Sequence, residues 1–439
     1  MNPRKAAVLA VDRVLNQGSY SNLVWRSALD EVPERERPFA TALFYGTLER
    51  AYTLGEVLAG YLTQPPSKLD GVTRAVLLTG LYQLLYMKTP GHAAVSESVA
   101  VCRAAGRTRQ AGFVNGVLRK FLRDGGAVPS PADPVERLAV EYACPPALVR
   151  SFLKDYGEEA ALRILKGSLG GAPTFLRVNP LRTTAGELSG LLADAGFDPQ
   201  PVPGLPGSLS VRGDVRAMPG GQDGLFHVED AAAQQAALLL EPEPGQTVVD
   251  VCAAPGGKTL TLAGLMGNQG TVFAFDAAPQ RARLVADAAA RLGMTCVRAI
   301  ARDGRTPDER LLGRADRVLC DLPCSGLGVL RRKPELRMKG LPVGLEQLQR
   351  ELLDASARYV APGGVLVYST CTLRRAENED AAEAFLASHS DFEPYPIPDL
   401  EGCDLARGDG CSVTFLPGPT DGFFAARFRR KASGGEEKR

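Results

Sequence analysis

The sequence has few of the residues that build metal sites. Only three histidines occur in 439 residues, and the nine cysteines include no pair separated by two residues. Structural zinc sites need four thiolate or imidazole ligands, and two of them are commonly cysteines at that spacing. We therefore expect no metal. Scattered cysteines also indicate a reducing compartment, where thiols stay free for chemistry.

Long apolar runs are lacking as well. The most apolar stretch, residues 75–87, is too short to cross a bilayer and indicates a core helix. At the N-terminus, Asp12 and Arg13 interrupt apolar residues at helical spacing, and the apolar core of a signal peptide is missing. These features predict a cytoplasmic protein with no membrane partner, and we expect a monomer.

The net charge of +1 provides no overall attraction to nucleic acid, so any basic surface must be local. Residues 1–125 contain 16 Lys and Arg against 10 Asp and Glu. Six basic residues, Arg119 and Lys120 among them, lie between Glu97 and Asp124 without an acid. A basic helical face can follow a phosphate backbone, but this composition fits a solvated helix face equally well.

The hydrophobic pattern divides the chain into domains. Residues 1–125 have helical spacing throughout and end in a Gly- and Pro-rich linker. Residues 135–223 predict helices followed by a small α/β connector. In residues 224–431, strands and helices alternate, which predicts a doubly wound parallel sheet whose last strand is antiparallel. The polar tail, residues 432–439, is expected to be disordered.

Three short stretches follow apolar strands of the predicted sheet. They are VVDVCAAPGGKTL at 248–260, DLPCSGLGVLRR at 321–332 and STCT at 369–372. Because ligands bind where the carboxyl ends of parallel strands meet, the three stretches are expected to form one site.

The first stretch ends like a phosphate-binding P-loop, in Gly257-Lys258-Thr259. Cys252, however, stands where that loop needs its first glycine, which argues against an NTPase. We expect Gly256 and Gly257 instead to let the backbone approach a nucleoside without phosphates.

Two acids follow the next predicted strands. Asp276 stands 19 residues after Gly257, where an acid commonly holds ribose hydroxyls. Asp303 could accept a hydrogen bond from an adenine amino group. Singly, each would be explained more simply as a helix cap or a surface turn. Together, at the ends of consecutive strands, they predict S-adenosylmethionine as the cofactor.

The second stretch begins Asp321-Leu322-Pro323-Cys324, where methyltransferases acting on amino groups carry Asp or Asn, two prolines and an aromatic residue. A thiolate is needed instead to activate carbon 5 of a pyrimidine, by adding to carbon 6. Asp321 would hydrogen-bond the base at ring nitrogen 3 or at its exocyclic amine. Lys258 is the candidate cation that lowers the thiol pKa. Spacing alone does not decide whether Cys324 or Cys371 attacks.

Several motifs resemble known families. The stretch GFVNGVL at 112–118 is similar to the last helices of the NusB-like fold, a small helical RNA-binding domain. The motifs CAAPGGKT, DLPCSGLGVLRRKPELR, STCT and PTDGFFAARF resemble the Nol1/Nop2/Sun family of RNA cytosine-5 methyltransferases, and within it the Fmu/Sun type. The resemblance implies an all-α NusB-like domain, a small α/β connector and a Rossmann-like S-adenosylmethionine-dependent domain. It also implies methylation of carbon 5 of a cytosine in 16S ribosomal RNA through a covalent cysteine adduct.

The same resemblance implies roles for individual residues. Cys371 would be the nucleophile and Cys324 would help product release, with Asp321 and Lys258 completing the catalytic set. DNA cytosine-5 methyltransferases instead use the cysteine after the proline, which would make Cys324 the nucleophile. The implied cofactor contacts are Cys252, Ala253, Ala254, Pro255, Gly256, Gly257, Lys258, Asp276, Asp303 and Asp321. One departure is Glu229-Asp230-Ala231-Ala232, where the family often has Gln-Asp-Ala/Glu-Ser.

A second basic run, Arg331-Arg332-Lys333 with Arg337 and Lys339, follows the Cys324 loop. We expect it to hold RNA phosphates around the target base, the alternative being a solvated loop. Two other functions remain open: the same chemistry on transfer RNA, and a non-catalytic NusB-like RNA-binding factor. Binding of S-adenosylmethionine would exclude the latter.

Overall fold

The computed structural model describes residues 1–340, 342–401, 405–407 and 410–432. The chain forms two compact units. The first unit contains Met1–Gly171 together with the later segment Leu330–Gly340, and the second contains the remainder of the described chain. The predicted disordered tail lies outside the described residues from position 433 onward.

The first unit is helical, as the spacing predicted. Its α-helices within the described residues are α1 Pro3–Gln17, α2 Ser21–Leu29, α3 Arg37–Glu49, α4 Ala51–Ala59, α5 Gly71–Leu85, α6 Gly91–Ala104, α7 Ala111–Arg123, α8 Pro134–Glu141 and α9 Pro146–Gly167. Helix α5 contains most of the apolar run at 75–87 and is buried on nearly every side, which confirms it as a core helix. In the described part of the chain, no helix combines the length and apolarity that a membrane span requires.

Helices α8 and α9, which lie in the helical part of the predicted 135–223 segment, are grouped by their contacts with the first unit. Contacts with α4 explain this grouping. The Thr53 hydroxyl donates to the Val140 carbonyl at 2.6 Å, and Arg50 donates to the Glu141 carbonyl at 3.1 Å. The apolar face of α8 therefore packs on the preceding helices.

The segment Leu330–Gly340 is built into the first unit through a short 3₁₀ helix, Pro334–Arg337. Glu335 is buried and accepts a hydrogen bond from the Ser21 amide at 3.1 Å, at the start of α2. Lys339 donates to the Gly18 carbonyl at 3.0 Å. Arg337 is also buried and donates to the carbonyls of Leu330 and Ser168. The expectation that Arg337 holds RNA phosphates is therefore wrong, because buried backbone carbonyls occupy its guanidinium.

The second unit begins with the predicted small connector. Its antiparallel sheet has the order β2-β3-β1-β4 and carries one helix. The elements are β1 Thr174–Val178, α10 Ala185–Asp194, β2 Gln200–Pro201, β3 Ser208–Val211 and β4 Phe226–Val228. Thr184 and Glu187 form a capping box at the start of α10. The Asn179 amide group donates to the carbonyls of Gly224 and Leu292 at 2.8 and 2.9 Å, which joins the connector to the large sheet.

Strands and helices then alternate, as predicted. The elements are α11 Ala231–Leu238, β5 Thr247–Asp250, α12 Gly257–Leu265, β6 Thr271–Asp276, α13 Pro279–Leu292, β7 Val297–Ala301, β8 Ala315–Asp321, α14 Leu345–Ala357, β9 Val360–Thr370, α15 Glu379–Ser388, β10 Phe392–Pro394, β11 Leu405–Arg407, β12 Ser412–Phe415 and β13 Phe423–Arg430.

The large sheet has the order β11-β12-β13-β9-β8-β5-β6-β7, and β10 pairs with β13. Strands β5 to β9 are parallel, while β13 runs antiparallel to β9, which confirms the prediction for the last strand. The strand order reverses at β5, so a crevice opens beyond its carboxyl end. Asp321 pairs in register with Ser369, which brings the second and third stretches of the sequence side by side.

Candidate active site

A loop without large side chains lies at the carboxyl end of β5. Gly256 has φ 113°, in the left-handed region that favours glycine, and a side chain on Gly257 would approach Glu229 Oε1 at 2.9 Å. Helix α12 starts at Gly257, directly after this loop. The loop therefore offers backbone N–H groups at a helix N-terminus with room for close approach by a ligand.

Strand ends supply four acids along the same edge. Asp250, Asp276 and Asp321 end β5, β6 and β8, and Asp303 follows β7. Asp276 is buried, accepts from the Ala278 amide at 3.1 Å and pairs with Arg281 at 3.3 Å. Hydrogen bonds from Arg305 hold the pKa of Asp303 below its usual value. Asp276 and Asp303 thus stand at consecutive strand ends, as the sequence analysis placed them.

The loop, β5 and β8 enclose a cavity of about 220 Å³. Its lining includes three carboxylates and one ammonium group, and most of the predicted loop. The lining residues are Val228, Glu229, Ala233, Asp250, Cys252, Ala253, Ala254, Pro255, Gly257, Lys258 and Asp321. The predicted loop residues and Asp321 are thus brought together, and Glu229 and Asp250 join them without having been assigned to the site.

Lys258 and Asp321 form an ion pair at 2.8 Å. Ser369 donates to the other oxygen of Asp321 at 3.0 Å, and the Phe423 ring lies 4.9 Å from the Lys258 ammonium. Burial lowers the pKa of Lys258, but the carboxylates of Asp321 and Glu229 outweigh it and raise the pKa overall. Lys258 therefore stays charged and orients Asp321, and its predicted effect on a thiol pKa stays a prediction.

Asp250 is a buried acid that the sequence analysis did not assign. Its Oδ2 accepts from the Thr259 hydroxyl at 2.6 Å, and its Oδ1 has no hydrogen-bond partner. Burial raises the pKa of Asp250 to about 7, and the nearby Asp321 carboxylate adds to the effect. Its place at a strand end just before a Gly-rich loop was the signal that could have identified it.

Glu229, the departure noted in the sequence, is also buried. Its Oε2 accepts from the Thr261 hydroxyl at 2.7 Å and lies 3.4 Å from His227 Nε2. Burial opposes ionisation, but the hydrogen bond and charge of His227, together with Lys258, lower the pKa overall. A carboxylate therefore takes the place of the family's usual amide at the wall of the cavity.

The two predicted cysteines face each other, with 3.2 Å between their sulfur atoms. Cys324 follows β8, and Cys371 comes directly after β9. The hydrogen bond with Cys371, burial and the carboxylates of Asp321 and Glu377 all raise the pKa of Cys324 well above its usual value. Burial and neighbouring carboxylates thus disfavour a thiolate in this pair.

Gly328 joins these cysteine loops to the chain before β13. Its amide donates to the Cys371 carbonyl at 3.0 Å, and its carbonyl accepts from the Gly422 amide at 2.9 Å. A side chain on Gly328 would come within 2.0 Å of the Gly422 carbonyl. The close approach explains why glycines stand at both positions, and it brings the PTDGFF motif to the site.

The predicted RNA-binding residues lie in the first unit. Arg119 and Lys120 are exposed on α7, where Arg119 donates to the Asn115 side chain at 3.0 Å and Lys120 pairs with Asp124 at 2.7 Å. Lys333 is exposed, while Arg331 and Arg332 are half-buried. Their RNA contacts remain predictions.

Comparison with known proteins connects this site to one family. Residues 237–429 match the family described as 16S rRNA methyltransferase RsmB/F. A probable ribosomal RNA small subunit methyltransferase B from Bacillus subtilis is 35% identical over 98% of both chains.

The chain belongs to the RsmB/F family of 16S ribosomal RNA methyltransferases.

The other RsmB/F domains are present too. Residues 1–123 match the NusB family, and residues 144–217 match the ferredoxin-like domain of the RsmF/B type. The solved structure of PH0851 has a TM-score of 0.84 at 27% identity and covers 98% of this chain and 99% of its own. NSun6 from Pyrococcus horikoshii with SFG, at 23% identity and a TM-score of 0.60, covers 66% of this chain and 99% of its own and shares the fold.

RsmB/F enzymes use S-adenosylmethionine, and the residues present fit it. The glycine loop leaves its backbone open to close approach, and Asp276 ends β6, a position where an acid commonly holds ribose hydroxyls. The cofactor carries a sulfonium and an ammonium group, and the carboxylates of the cavity, with the unpartnered Oδ1 of Asp250, are acceptors suited to positive charge.

Proposed function

We propose that this RsmB/F enzyme methylates carbon 5 of a cytosine in 16S ribosomal RNA through a covalent adduct with Cys371. The observation that carries the proposal is the pair of sulfur atoms 3.2 Å apart beside the Asp321 carboxylate. Methylation of a pyrimidine carbon requires that the ring first be activated by addition of a thiolate, which two thiols and an acid can provide. Methylation of an amine needs no thiol. The small-subunit RNA is inferred from the family and from the names of its relatives.

Cys371 is assigned as the nucleophile from the resemblance of STCT to the family's motif, and Cys324, whose sulfur lies 3.2 Å away, is the thiol that assists release. The raised pKa of Cys324 disfavours its thiolate, and its S–H can donate to the sulfur of Cys371 across the 3.2 Å separation. After losing its proton to solvent, Cys371 adds to carbon 6 of the base and forms the carbon–sulfur bond. Asp321 accepts a hydrogen bond from the exocyclic amine of the base, in an orientation fixed by Lys258 and Ser369.

Addition makes carbon 5 nucleophilic, and bound S-adenosylmethionine supplies the methyl group. The bond from carbon 6 to Cys371 then breaks as carbon 5 loses its proton. Cys324 relays the proton: it passes its own proton to the departing Cys371 sulfur and, as the thiolate so formed, takes the proton from carbon 5. The target base must be unpaired or flipped out to reach the two thiols.

Trapping the adduct on a denaturing gel tests the assignment. Small-subunit ribosomal RNA and S-adenosylmethionine are mixed with wild type, Cys324→Ala, Cys371→Ala and a control, Cys296→Ala, whose thiol is buried elsewhere in the sheet domain. We expect Cys324→Ala to accumulate adduct, Cys371→Ala to form none, and the control to match wild type. Adduct formation by Cys371→Ala would reverse the two roles. Absence of both adduct and methylation in wild type would overturn the function.

A further inference from the structure

A buried carboxylate near the thiol pair helps to raise the pKa of Cys324, and the mechanism above gives it no other part. Glu377 is fully buried between β9 and α15. Its Oε2 accepts from the Ser325 amide at 2.9 Å and from Gln349 at 3.0 Å. Its Oε1 accepts from the Ser325 hydroxyl at 2.6 Å and from Arg374 at 3.0 Å.

These contacts fix the backbone on both sides of Cys324. The Ser325 amide, which follows the thiol in the chain, donates directly to Glu377. The Pro323 carbonyl, which precedes it, accepts from the same Gln349 amide group at 2.8 Å. Because Glu377 is buried, water cannot replace these hydrogen-bond donors. Moving the carboxylate away from them would therefore cost free energy, which keeps the arrangement fixed.

The next residue does the same for the other thiol. The Asn378 amide group donates to the Thr372 carbonyl at 3.0 Å, and its oxygen accepts from the Thr370 hydroxyl at 2.6 Å. Thr370 and Thr372 are the neighbours of Cys371 on either side. The Ser325 and Thr372 hydroxyls, 2.7 Å apart, connect the two halves.

We propose that Glu377 and Asn378 are positioning residues that set the separation of the two thiols, Glu377 through Cys324 and Asn378 through Cys371. The inference rests on the proposed function, since it assigns each residue to one step of that reaction. Glu377 serves release of the methylated product, and Asn378 serves addition to the base. Two adjacent residues should therefore have opposite effects on the covalent adduct.

The test measures adduct in a single turnover with small-subunit ribosomal RNA and S-adenosylmethionine. Glu377→Gln, which weakens the hold on Cys324, is expected to raise the adduct fraction at least fivefold. Asn378→Ala is expected to slow adduct formation at least tenfold. The matched control is Glu379→Gln, whose carboxylate accepts from Thr414 at 3.1 Å and should leave both quantities at wild-type values.

A double variant separates positioning from general damage. If Glu377 acts through Cys324, Glu377→Gln adds nothing in a Cys324→Ala background, whereas independent effects would multiply. If Glu377→Gln or Asn378→Ala fails to fold, Ser325→Ala and Thr370→Val replace them, since each removes one hydroxyl. Ser325→Ala should then raise the adduct fraction, and Thr370→Val should slow adduct formation. Unchanged cofactor affinity, within twofold, shows that the sheet domain is intact.

Three results would overturn the inference. The first is that Glu377→Gln and Asn378→Ala both slow adduct formation, and the second is that neither changes it. The third is that the effect of Glu377→Gln multiplies fully with that of Cys324→Ala. In each case a normal adduct in the Cys324→Ala control would show that the proposed function itself stands. If wild type methylates RNA while that control forms no adduct, the assignment of Cys324 fails and the positioning roles fail with it.

Discussion

At the residue scale, Asp250 combines burial with an unpartnered oxygen. Burial raises its pKa to about 7, compared with about 3.9 for an exposed aspartate. Between about pH 4 and 7 the folded protein therefore keeps a proton that the unfolded chain has released. The native state binds more protons in this window, so stability falls as pH rises through it.

Asp250→Asn should remove this pH dependence, because an amide does not ionise and can still accept from Thr259. Without cofactor at pH 8, we expect the variant to be more stable than wild type by a few kcal/mol, roughly 4 at most from the pKa difference. At pH 4 the two should be alike. Urea unfolding across this range measures the difference, and Asp287→Asn, an exposed change on α13, is the control.

The same substitution should weaken S-adenosylmethionine binding at least tenfold at pH 8, as measured by calorimetry. The ionised carboxylate of Asp250, which lowers the stability of the free protein, is the group expected to attract the cationic cofactor. A wild-type pH profile already as flat as that of Asp250→Asn would show that Asp250 does not titrate in this range.

At the scale of elements, Glu335 links a late segment of the chain to an early helix. It accepts from the Ser21 amide at 3.1 Å, although 314 residues separate the two. Glu335→Ala would leave that buried N–H without a partner, which typically costs about 1–3 kcal/mol. We expect faster amide hydrogen exchange in the first turn of α2 and unchanged exchange in the strands of the large sheet.

Lys333→Ala, an exposed change two residues earlier, is the control for this prediction. Equal exchange of α2 in Glu335→Ala and the control would show that the cap contributes nothing measurable. Faster exchange throughout both units would point to a general loss of stability instead.

The sequence predicted elements where the pattern is local. The alternation of parallel strands and helices in residues 224–431 was predictable because apolar periods and end signals lie within a few residues of each element. The short strands β10 to β12 were missed because their pairing with each other and with β13 follows from the closed sheet rather than from their own pattern. Glu377 was missed for a related reason: its partners Ser325 and Gln349 are 52 and 28 residues away.

Residue roles followed the same division. Cys324, Cys371 and Asp321 could be placed at one edge because each ends or closely follows a strand of one parallel sheet, whereas their roles came from the family resemblance and stay predictions. The ion pair of Lys258 with Asp321, at 2.8 Å, was not predicted because the two residues are 63 positions apart in the sequence. Arg337 was predicted to bind phosphate because it belongs to a basic run, and the sequence does not show that its side chain is buried.

At the scale of the whole molecule, a net charge of +1 leaves RNA binding to local surfaces. Arg119 and Lys120 are exposed neighbours on α7 in the first unit, while the thiols belong to the second. A side chain that neutralises one phosphate steepens the fall of log affinity with log salt by about 0.7 to 0.9. The double change Arg119→Ala with Lys120→Ala should therefore make this slope shallower by about 1.5 and weaken RNA binding at low salt.

Steady-state kinetics should separate an effect on RNA binding from an effect on the methylation step. We expect the double variant to raise KM for RNA several-fold with kcat unchanged, because saturating RNA restores occupancy of an intact thiol site. Arg283→Ala with Arg298→Ala removes two equally exposed charges from the second unit and tests whether charge alone matters. If both double variants lost RNA affinity equally, RNA binding would depend only on the net charge of the protein. A fall in kcat confined to the α7 pair would mean that the helical domain also helps to place the base for attack.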